Sequence, residues 1–248
     1  MKFEDKVARL HKEKFKGIET EAFLEDVRKM AEGEPFEYLL GEVLFAGAKV
    51  DLSLRPMIPR PETEFWVKQA IDDIMRTRRE FVLRCLDLFS GSGCVGLAVA
   101  KNIPEAIVDF IEIDPKLKEQ VEISITKNNI KKLRTRVIIG DTWQGAVGTY
   151  DVIFAVPPYV PPSMKEEVMK ELSAEDPLSF FDKEDGFYFH TQVFRRAKEF
   201  LKDGGVLYLE FDITQRDKIE VLANEHGFVH YSFLKDPYGH DCAIQLAK

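Results

Sequence analysis

Apolar side chains near the start of the chain recur at the spacing of one helix face. Phe23, Val27 and Met30 follow that spacing, with Glu, Asp, Lys and Arg between them. Gly17 separates this stretch from an equally short one before it. Residues 1–35 are therefore predicted to form a helical segment of two small amphipathic helices, and we expect it to be a cap without catalytic residues.

The following residues change to short extended stretches and then to a cluster of prolines. Strands over 43–46 and 48–54 are predicted to form a β-hairpin around Gly47. The proline-dense connector after them cannot be helical throughout, so 36–60 is expected to be a hairpin and linker. A helix is predicted over 62–77, because its first turn carries acidic residues, which the helix dipole favours there.

From about residue 82 to the end, apolar strands alternate with amphipathic helices. Strands are predicted over 83–88, 106–113, 136–139, 150–155, 205–211, 228–234 and 242–246, and helices over 94–101, 115–128, 186–201 and 215–226. This alternation predicts an α/β fold with a doubly wound, mostly parallel sheet in residues 61–248. Ligands of such sheets bind at the carboxyl ends of the strands.

Composition narrows the classes of function. The chain has 248 residues, 45% of them hydrophobic and 31% charged, as in an ordinary globular protein. Its net charge of −8 argues against nucleic acid as the main partner, because phosphate binding uses clustered cations. Cys85, Cys94 and Cys242 form no C-x-x-C pair, so neither a disulfide scaffold nor a metal site is expected. Without a signal-like or membrane-spanning apolar run, a cytoplasmic protein with no membrane partner is expected.

The strongest chemical signal is a glycine-rich loop between the first strand of the alternating region and the next helix. Gly91, Gly93 and Gly96 satisfy the pattern G-x-G-x-x-G, and Glu112 follows at the end of the next strand. In folds that bind nucleotide-like cofactors, such glycines allow the backbone to approach the ligand, and the acid accepts hydrogen bonds from ribose hydroxyls. The loop thus predicts a cofactor with a ribose.

Two classes of cofactor compete for this loop. In nicotinamide enzymes the strand runs almost directly into the first glycine, whereas here Asp87 stands at the strand end, before an intervening turn. An acid at that place can accept from the ammonium group of S-adenosylmethionine (SAM), which favours SAM over a dinucleotide. Asp141, after the third strand, can accept from an adenine amine, although an Asp that caps the next turn fits the local sequence nearly as well.

Residues outside the loop bring a known family into view. Residues 37–41, Glu-Tyr-Leu-Leu-Gly, followed by 58–64, Ile-Pro-Arg-Pro-Glu-Thr-Glu, resemble the signature that precedes the catalytic domain of the HemK/PrmC family. Members of that family are SAM-dependent methyltransferases that modify the glutamine of a Gly-Gly-Gln loop in peptide chain release factors. The resemblance runs from about Pro35 to the C-terminus. It implies a Rossmann-like class I SAM-dependent methyltransferase fold with seven strands, the last antiparallel.

The resemblance also implies roles for particular residues. The family has Asn-Pro-Pro-Tyr after the fourth strand as its catalytic tetrapeptide, and here that place holds Val156, Pro157, Pro158 and Tyr159. The implied cofactor residues are Asp87, Phe89, Gly91, Gly93, Glu112, Ile113, Asp141 and Thr142. The implied substrate residues are Arg60, Pro61, Glu62, Glu64, Val156, Pro157 and Tyr159. The product of the cofactor would be S-adenosylhomocysteine, and a release factor would be the partner of a monomeric enzyme.

Val156 departs from the family at the residue nearest the chemistry. A carboxamide nitrogen is a poor nucleophile, so methyl transfer needs the nitrogen aligned with the methyl group and acceptors for its N–H groups. In the family, the Asn side-chain oxygen and the backbone carbonyl of the first proline supply those acceptors. Val has nearly the size of Asn but no acceptor, and loss of one such contact costs about 10²–10³ in rate. Slow or absent N5-methylation of glutamine is therefore expected.

Several alternatives stay open. Val156 fits an engineered substitution, a natural variant that uses another acceptor, or a lost or changed activity. The function itself has two alternatives: methylation of amino groups in nucleic acid, or a non-catalytic module that binds SAM or a release factor. Phe89 and Asp212 stand where the family usually has Gly, and the N-terminal helical part is about half the usual length.

Overall fold

A computed structural model describes residues 1–77 and 82–248 of the chain, which begins with three helices. These are α1 (Phe3–Glu13), α2 (Glu21–Ala31) and α3 (Phe36–Leu40). They enclose a small core of their own, made of Leu10, Phe23, Met30, Phe36 and Leu39. The two predicted helices are confirmed. The third was not predicted, because a helix of five residues after a proline leaves no periodic pattern.

The predicted hairpin follows as β1 (Glu42–Phe45) and β2 (Ala48–Asp51). The second strand ends three residues before the predicted 54, because the chain turns there, with the Arg55 amide donating to the Leu52 carbonyl. Its two-residue turn has positive φ at both Ala46 and Gly47, at 45° and 82°, the geometry that suits the twist of a tight hairpin. The buried side chains of both strands join the main core, so the hairpin packs against the large sheet domain. The connector then leads into α4 (Pro61–Thr77).

The remaining elements alternate as predicted. They are β3 (Leu83–Leu88), α5 (Cys94–Asn102), β4 (Ala106–Glu112), α6 (Pro115–Lys127), β5 (Thr135–Ile139), β6 (Tyr150–Ala155), α7 (Lys165–Glu171), α8 (Tyr188–Phe200), β7 (Leu201–Glu210), α9 (Arg216–Glu225), β8 (His230–Lys235) and β9 (Asp241–Ala247). The predicted start of β7 was four residues late, because pairing of Leu201 with Tyr150 extends the strand back to the end of α8. The short α7 was not predicted.

Seven strands form one sheet in the order β5-β4-β3-β6-β7-β9-β8. All strand pairs are parallel except the two that involve β9. The sheet therefore has the predicted topology, with the last strand antiparallel. The chain moves outward in one direction from β3 and in the other from β6, so the carboxyl ends of these two strands flank the switch point where such folds bind ligands.

Two hydrophobic clusters cover the two faces of the sheet. On one face, α4, α5, α6 and the hairpin pack, and Trp66 stacks with Phe154 and Tyr208. On the other face, α8 and α9 pack around residues such as Phe194 and Ile219. Within the described ranges, no helix is both long and apolar enough to cross a membrane. The covered faces leave the carboxyl edge of the sheet as the place for a site.

Candidate active site

A cavity of about 740 Å³ opens at the carboxyl edge of the sheet. The glycine loop after β3 and the ends of β4 and β5 line one part of it. The tetrapeptide after β6, the end of β7, the connector and the segment 172–180 line another part. Sequence-distant groups singled out for a cofactor and for a substrate thus border the same space.

Asp87 is the buried acid at the loop end of the cavity. It is 1% exposed, and its Oδ2 accepts from the Gly96 amide at 2.8 Å. Burial, and then the nearby charge of Glu112, raise the pKa of Asp87 to about 8. Within the described ranges, no Lys, Arg or His side chain acts on Asp87 to lower its pKa. A cationic ligand group would therefore be a favourable counter-charge for this carboxylate.

Two glycines keep the loop close to its neighbours. A Cβ on Gly96 would lie 2.3 Å from Phe110 Cε1, and one on Gly93 would lie 2.9 Å from Val121 Cγ2. Gly93 also has φ 77°, which side chains other than glycine rarely adopt. A side chain at either position would displace the loop, so the pattern of glycines serves packing as well as approach to a ligand.

Phe89 adopts φ 58°, a left-handed conformation that residues with a side chain rarely adopt. This explains why the HemK/PrmC family usually has glycine at this place. Such a conformation costs of order 1–3 kcal/mol and persists only where the surroundings hold it. Here the Phe89 ring packs edge-on against Phe189, with 5.4 Å between ring centroids. The aromatic contact holds the loop and gives the cavity an apolar wall.

Glu112 ties the end of β4 to the glycine loop. Its Oε2 accepts from the Gly91 amide at 2.7 Å, and its Oε1 accepts from the Asp114 amide at 2.9 Å. Burial raises the pKa of Glu112, while these amides oppose the rise. Each oxygen keeps a second lone pair, so the carboxylate can also accept from a ribose hydroxyl. Ile113 follows with its side chain 45% exposed at the cavity, where it offers an apolar surface.

Asp141 and Thr142 lie after β5, as predicted. The Thr142 hydroxyl donates to Asp141 Oδ1 at 2.9 Å, and Thr142 itself has φ 50°. The other oxygen of Asp141 lies 3.4 Å from Lys183 Nζ, on the segment after the tetrapeptide. Asp141 thus has side-chain partners, and its carboxylate oxygens remain at the rim of the cavity.

The tetrapeptide continues β6 beyond the sheet. Ala155 pairs with Leu88 on one side and with Leu209 on the other, and Val156 is the first residue beyond this last paired row of β6. Val156 is partly buried and packs against the core cluster that contains α4. Pro157 is buried and Pro158 partly buried at the same edge. The side chains of Val156, Pro157 and Pro158 form a wall of the cavity that offers no hydrogen-bond acceptor.

Tyr159 ends the tetrapeptide and points to the end of β7. Its hydroxyl donates to Glu210 Oε1 at 3.4 Å, and burial together with the charge of Glu210 raises its pKa well above the usual value. The phenol therefore stays neutral. It acts as a hydrogen-bond donor at this wall.

Of the residues at 60–64 that were expected to bind substrate, Arg60 lines the cavity and the other three do not. Arg60 lines the cavity and pairs with Glu175, its Nη2 lying 2.7 Å from Oε1, while Glu175 Oε2 accepts from the Ile58 amide at 2.8 Å. The lining does not include Pro61, Glu62 or Glu64. Glu64 instead accepts from the Ala46 amide at 2.9 Å, because it lies on the side of α4 that faces the hairpin.

Among the lining residues that were not singled out from the sequence, Thr63, Glu175 and Glu210 stand out because they are polar groups in the substrate part of the cavity. Glu175 is a buried acid in a segment of irregular structure, and Glu210 is the last residue of an apolar strand. An acid at a strand end in this fold could have been noted as a candidate. The contacts of Glu175 with the connector have no signature in local sequence.

The residues at the loop end fit a SAM-like cofactor. A buried carboxylate without a cation, a loop that tolerates no Cβ at two glycines, and an acid at the end of the second strand all border one cavity. The other part of the cavity is walled by prolines and aromatic residues, which suits an uncharged side chain.

Comparison with known proteins agrees with this geometry. A family model described as "Conserved hypothetical protein 95" matches residues 51–193. A release factor glutamine methyltransferase of Streptococcus pneumoniae is 30% identical over 226 residues, which cover 89% of this chain and 78% of the relative. A protein of the same description from Thermodesulfovibrio yellowstonii is 29% identical over 228 residues, which cover 90% of this chain and 79% of the relative.

Solved structures share the fold at low sequence identity. A crystal structure of a methyltransferase from Pyrococcus furiosus superposes with a TM-score of 0.59 at 17% identity, covering 92% of this chain and 96% of the other. The catalytic domain of hMettl16, in complex with MAT2A 3'UTR hairpin 1, superposes with a TM-score of 0.61 at 13% identity, covering 92% and 80%. These likenesses establish the Rossmann-like fold of class I SAM-dependent methyltransferases.

Proposed function

The chain belongs to the Conserved hypothetical protein 95 family by its matched model and to the release factor glutamine methyltransferases by its relatives, and from this premise we propose its reaction. It transfers a methyl group from SAM to N5 of the glutamine in the Gly-Gly-Gln loop of a peptide chain release factor. The observation that carries the proposal is the single cavity bordered by both the buried acid Asp87 and the tetrapeptide that begins at Val156.

The loop end of the cavity would hold the cofactor, which when bound supplies an electrophilic methyl group on a sulfonium centre. Asp87 would accept from its ammonium group, and Glu112 from its ribose hydroxyls. The adenine would lie against Ile113, with Asp141 and Thr142 as partners for its amine. Phe89, Gly91 and Gly93 would shape the loop backbone around it.

The opposite wall would hold the glutamine side chain. The Pro157 carbonyl would accept one N–H of the carboxamide, and Tyr159 would pack near it. Arg60, held by Glu175, would keep the connector beside the entering loop. An uncharged amide suits this wall because Val156 and the prolines are uncharged and the Pro157 carbonyl can accept one of its N–H groups.

Val156 makes this reaction slow. Its side chain occupies the place of the family's Asn without offering an acceptor, so one of two stabilising contacts to the amide is lost. By analogy with the removal of one donor from an oxyanion hole, the rate falls by about 10²–10³. SAM binding should be unaffected, because the proposed acceptors of its ammonium and ribose groups, Asp87 and Glu112, lie on β3 and β4 rather than on the strand that leads to Val156.

The experiment compares methylation by the wild type and by Val156→Asn. Each is incubated with SAM and a release factor that carries the Gly-Gly-Gln loop, and mass spectrometry locates the added methyl. Val229→Asn is the matched control, since Val229 is 69% exposed. We expect Val156→Asn to methylate the glutamine about 10²–10³ faster than both other proteins, with equal SAM affinity by calorimetry.

Other outcomes favour other functions. If both Val156→Asn and the wild type bind SAM but neither methylates the glutamine, the release-factor reaction is refuted. A non-catalytic binding module would then be supported, as Val156 itself suggests. Tight binding of RNA or DNA in a low-salt gel shift would instead favour nucleic acid as substrate. With a release factor as partner, a monomer in the cytoplasm is the form we expect to act.

A further inference from the structure

Glu210 is an acid in the substrate part of the cavity, and the proposed reaction assigns no role to it. It is the last residue of β7, is 7% exposed and lines the same cavity as Val156. A carboxylate buried this deeply is costly unless partners hold it. Its place beside the reacting wall makes it a candidate for chemistry.

Sheet register sets Glu210 directly beside Val156. Ala155 of β6 pairs with Leu209 of β7, so the next residue of each strand lies in the same row. Side chains alternate between the two faces of a sheet, and both Ala155 and Leu209 point to the face covered by α8 and α9. Val156, just after the end of β6, packs against the cluster that contains Trp66, and Glu210 accepts from Trp66 Nε1, so both side chains lie on the opposite face, where α4 packs.

The two oxygens of Glu210 have unequal partners. Trp66 Nε1 donates to Oε2 at 2.6 Å, which is a short, strong bond. Oε1 receives the longer bond from the Tyr159 hydroxyl, at 3.4 Å, and thus lies toward the tetrapeptide, while the Thr63 hydroxyl is a third partner of the carboxylate. The indole anchors the carboxylate, while the second oxygen keeps accepting capacity on the side of the target amide.

We propose that Glu210 accepts a hydrogen bond from the N–H of the target carboxamide and takes its proton, and that it thereby replaces in part the acceptor that Val156 does not provide. This inference rests on the proposed function. The amide nitrogen forms the new bond to the methyl carbon, and the bond between that carbon and sulfur breaks with its electron pair left on sulfur. The N–H proton passes to Glu210 Oε1 and then to water.

The environment of Glu210 suits such a base. Burial raises its pKa, and the hydrogen bonds from Trp66, Thr63 and Tyr159 oppose the rise. A carboxylate with a raised pKa takes a proton more readily than an exposed one. Activity should then increase with pH as Glu210 ionises.

The test places Glu210→Gln in two backgrounds, the wild type and Val156→Asn. The variant keeps the volume of the side chain and an acceptor for Trp66. Glu199→Gln, at an exposed acid of α8, is the matched control. Melting temperature and SAM affinity are measured for every protein. The readouts are kcat, its pH profile, and the affinity of a Gly-Gly-Gln peptide with S-adenosylhomocysteine bound.

In the wild-type background, Glu210→Gln should lower kcat about 10²-fold or more. It should also weaken binding of the Gly-Gly-Gln peptide about tenfold, with SAM affinity unchanged. In the Val156→Asn background, the loss in kcat should be less than tenfold, because Asn supplies an acceptor. The rise of kcat with pH should disappear in Glu210→Gln. The control should match its parent in all readouts.

Equal losses in both backgrounds, no loss in either, or a loss of SAM affinity would overturn the role of Glu210 and leave the proposed function intact. A wild type without turnover beside an active Val156→Asn would also overturn it, since Glu210 would then not replace the missing acceptor. If no variant methylates the glutamine, including Val156→Asn, the proposed function fails and the inference fails with it.

Discussion

Affinity for SAM is expected to fall about tenfold for each pH unit between pH 7.5 and 6, because Asp87 must lose a proton before it can pair with an ammonium group. Burial raises the pKa of this carboxyl from 3.8 to about 8, and the charge of Glu112 adds to the effect. In the free protein Asp87 is therefore mainly protonated at neutral pH. An ammonium beside it favours the ionised form, so binding releases a proton.

The magnitude follows from linkage. Each unit of pH below the pKa adds about 1.4 kcal/mol to the free energy of ionising Asp87, which is a factor of about ten in Kd. At pH 6 the affinity should be about a hundredfold weaker than the value reached once Asp87 is ionised. Close to one proton should be released for each SAM bound at pH 6.5.

Isothermal titration calorimetry measures both quantities, in pairs of buffers that differ in ionisation enthalpy. Asp87→Asn cannot titrate but still offers an oxygen to the Gly96 amide, so it should bind weakly and without the pH slope. Asp141→Asn is the control, because it removes a charge at the proposed adenine end but keeps an acceptor oxygen, so the pH slope should remain. A flat Kd between pH 6 and 7.5, with no proton released, would refute this role for Asp87.

Two further predictions concern packing around the cavity. Gly96→Ala would place a Cβ 2.3 Å from Phe110 Cε1. We therefore expect the free energy of unfolding to fall by about 1–3 kcal/mol in denaturant unfolding, and SAM binding to weaken by a similar amount in calorimetry. A variant as stable as the wild type would contradict this. Arg60→Met leaves the buried Glu175 without its cation. The backbone amides of 172–180 should then exchange hydrogen at least tenfold faster, while the core amides of the sheet stay protected. Unchanged exchange would show that the ion pair does not hold this segment.

Much of the fold follows from local pattern. The apolar runs that became β3 and β6 were predicted with the bounds that the structure has, since a buried parallel strand needs a short continuous apolar stretch. The start of β7 was not, because Leu201 joins the strand only by pairing with Tyr150 of the neighbouring chain segment. Pairing of distant residues is absent from local hydrophobic periodicity.

The candidate site divides in the same way. The glycine loop is one contiguous segment, so its residue types pointed to a cofactor, whereas the tetrapeptide at 156–159 was assigned to the target by its resemblance to the HemK/PrmC family. Glu64 was also expected at the substrate by this resemblance, and the structure places its carboxylate on the Ala46 amide of the hairpin, outside the lining of the cavity. Neighbours in sequence at the start of a helix point in different directions, and only packing determines which of them reaches the cavity.

The sequence by itself determined the alternation of strands and helices and the loop that begins at Asp87, because residue type and order decide both, while the role expected of Val156 came from the resemblance of 156–159 to a family tetrapeptide. Only the tertiary structure brought Glu210 to Trp66 across 144 positions and Arg60 to Glu175 across 115. Those contacts depend on strand order, register and the path of a connector over the sheet edge. The groups that complete the site are therefore set by long-range geometry, which no local pattern encodes.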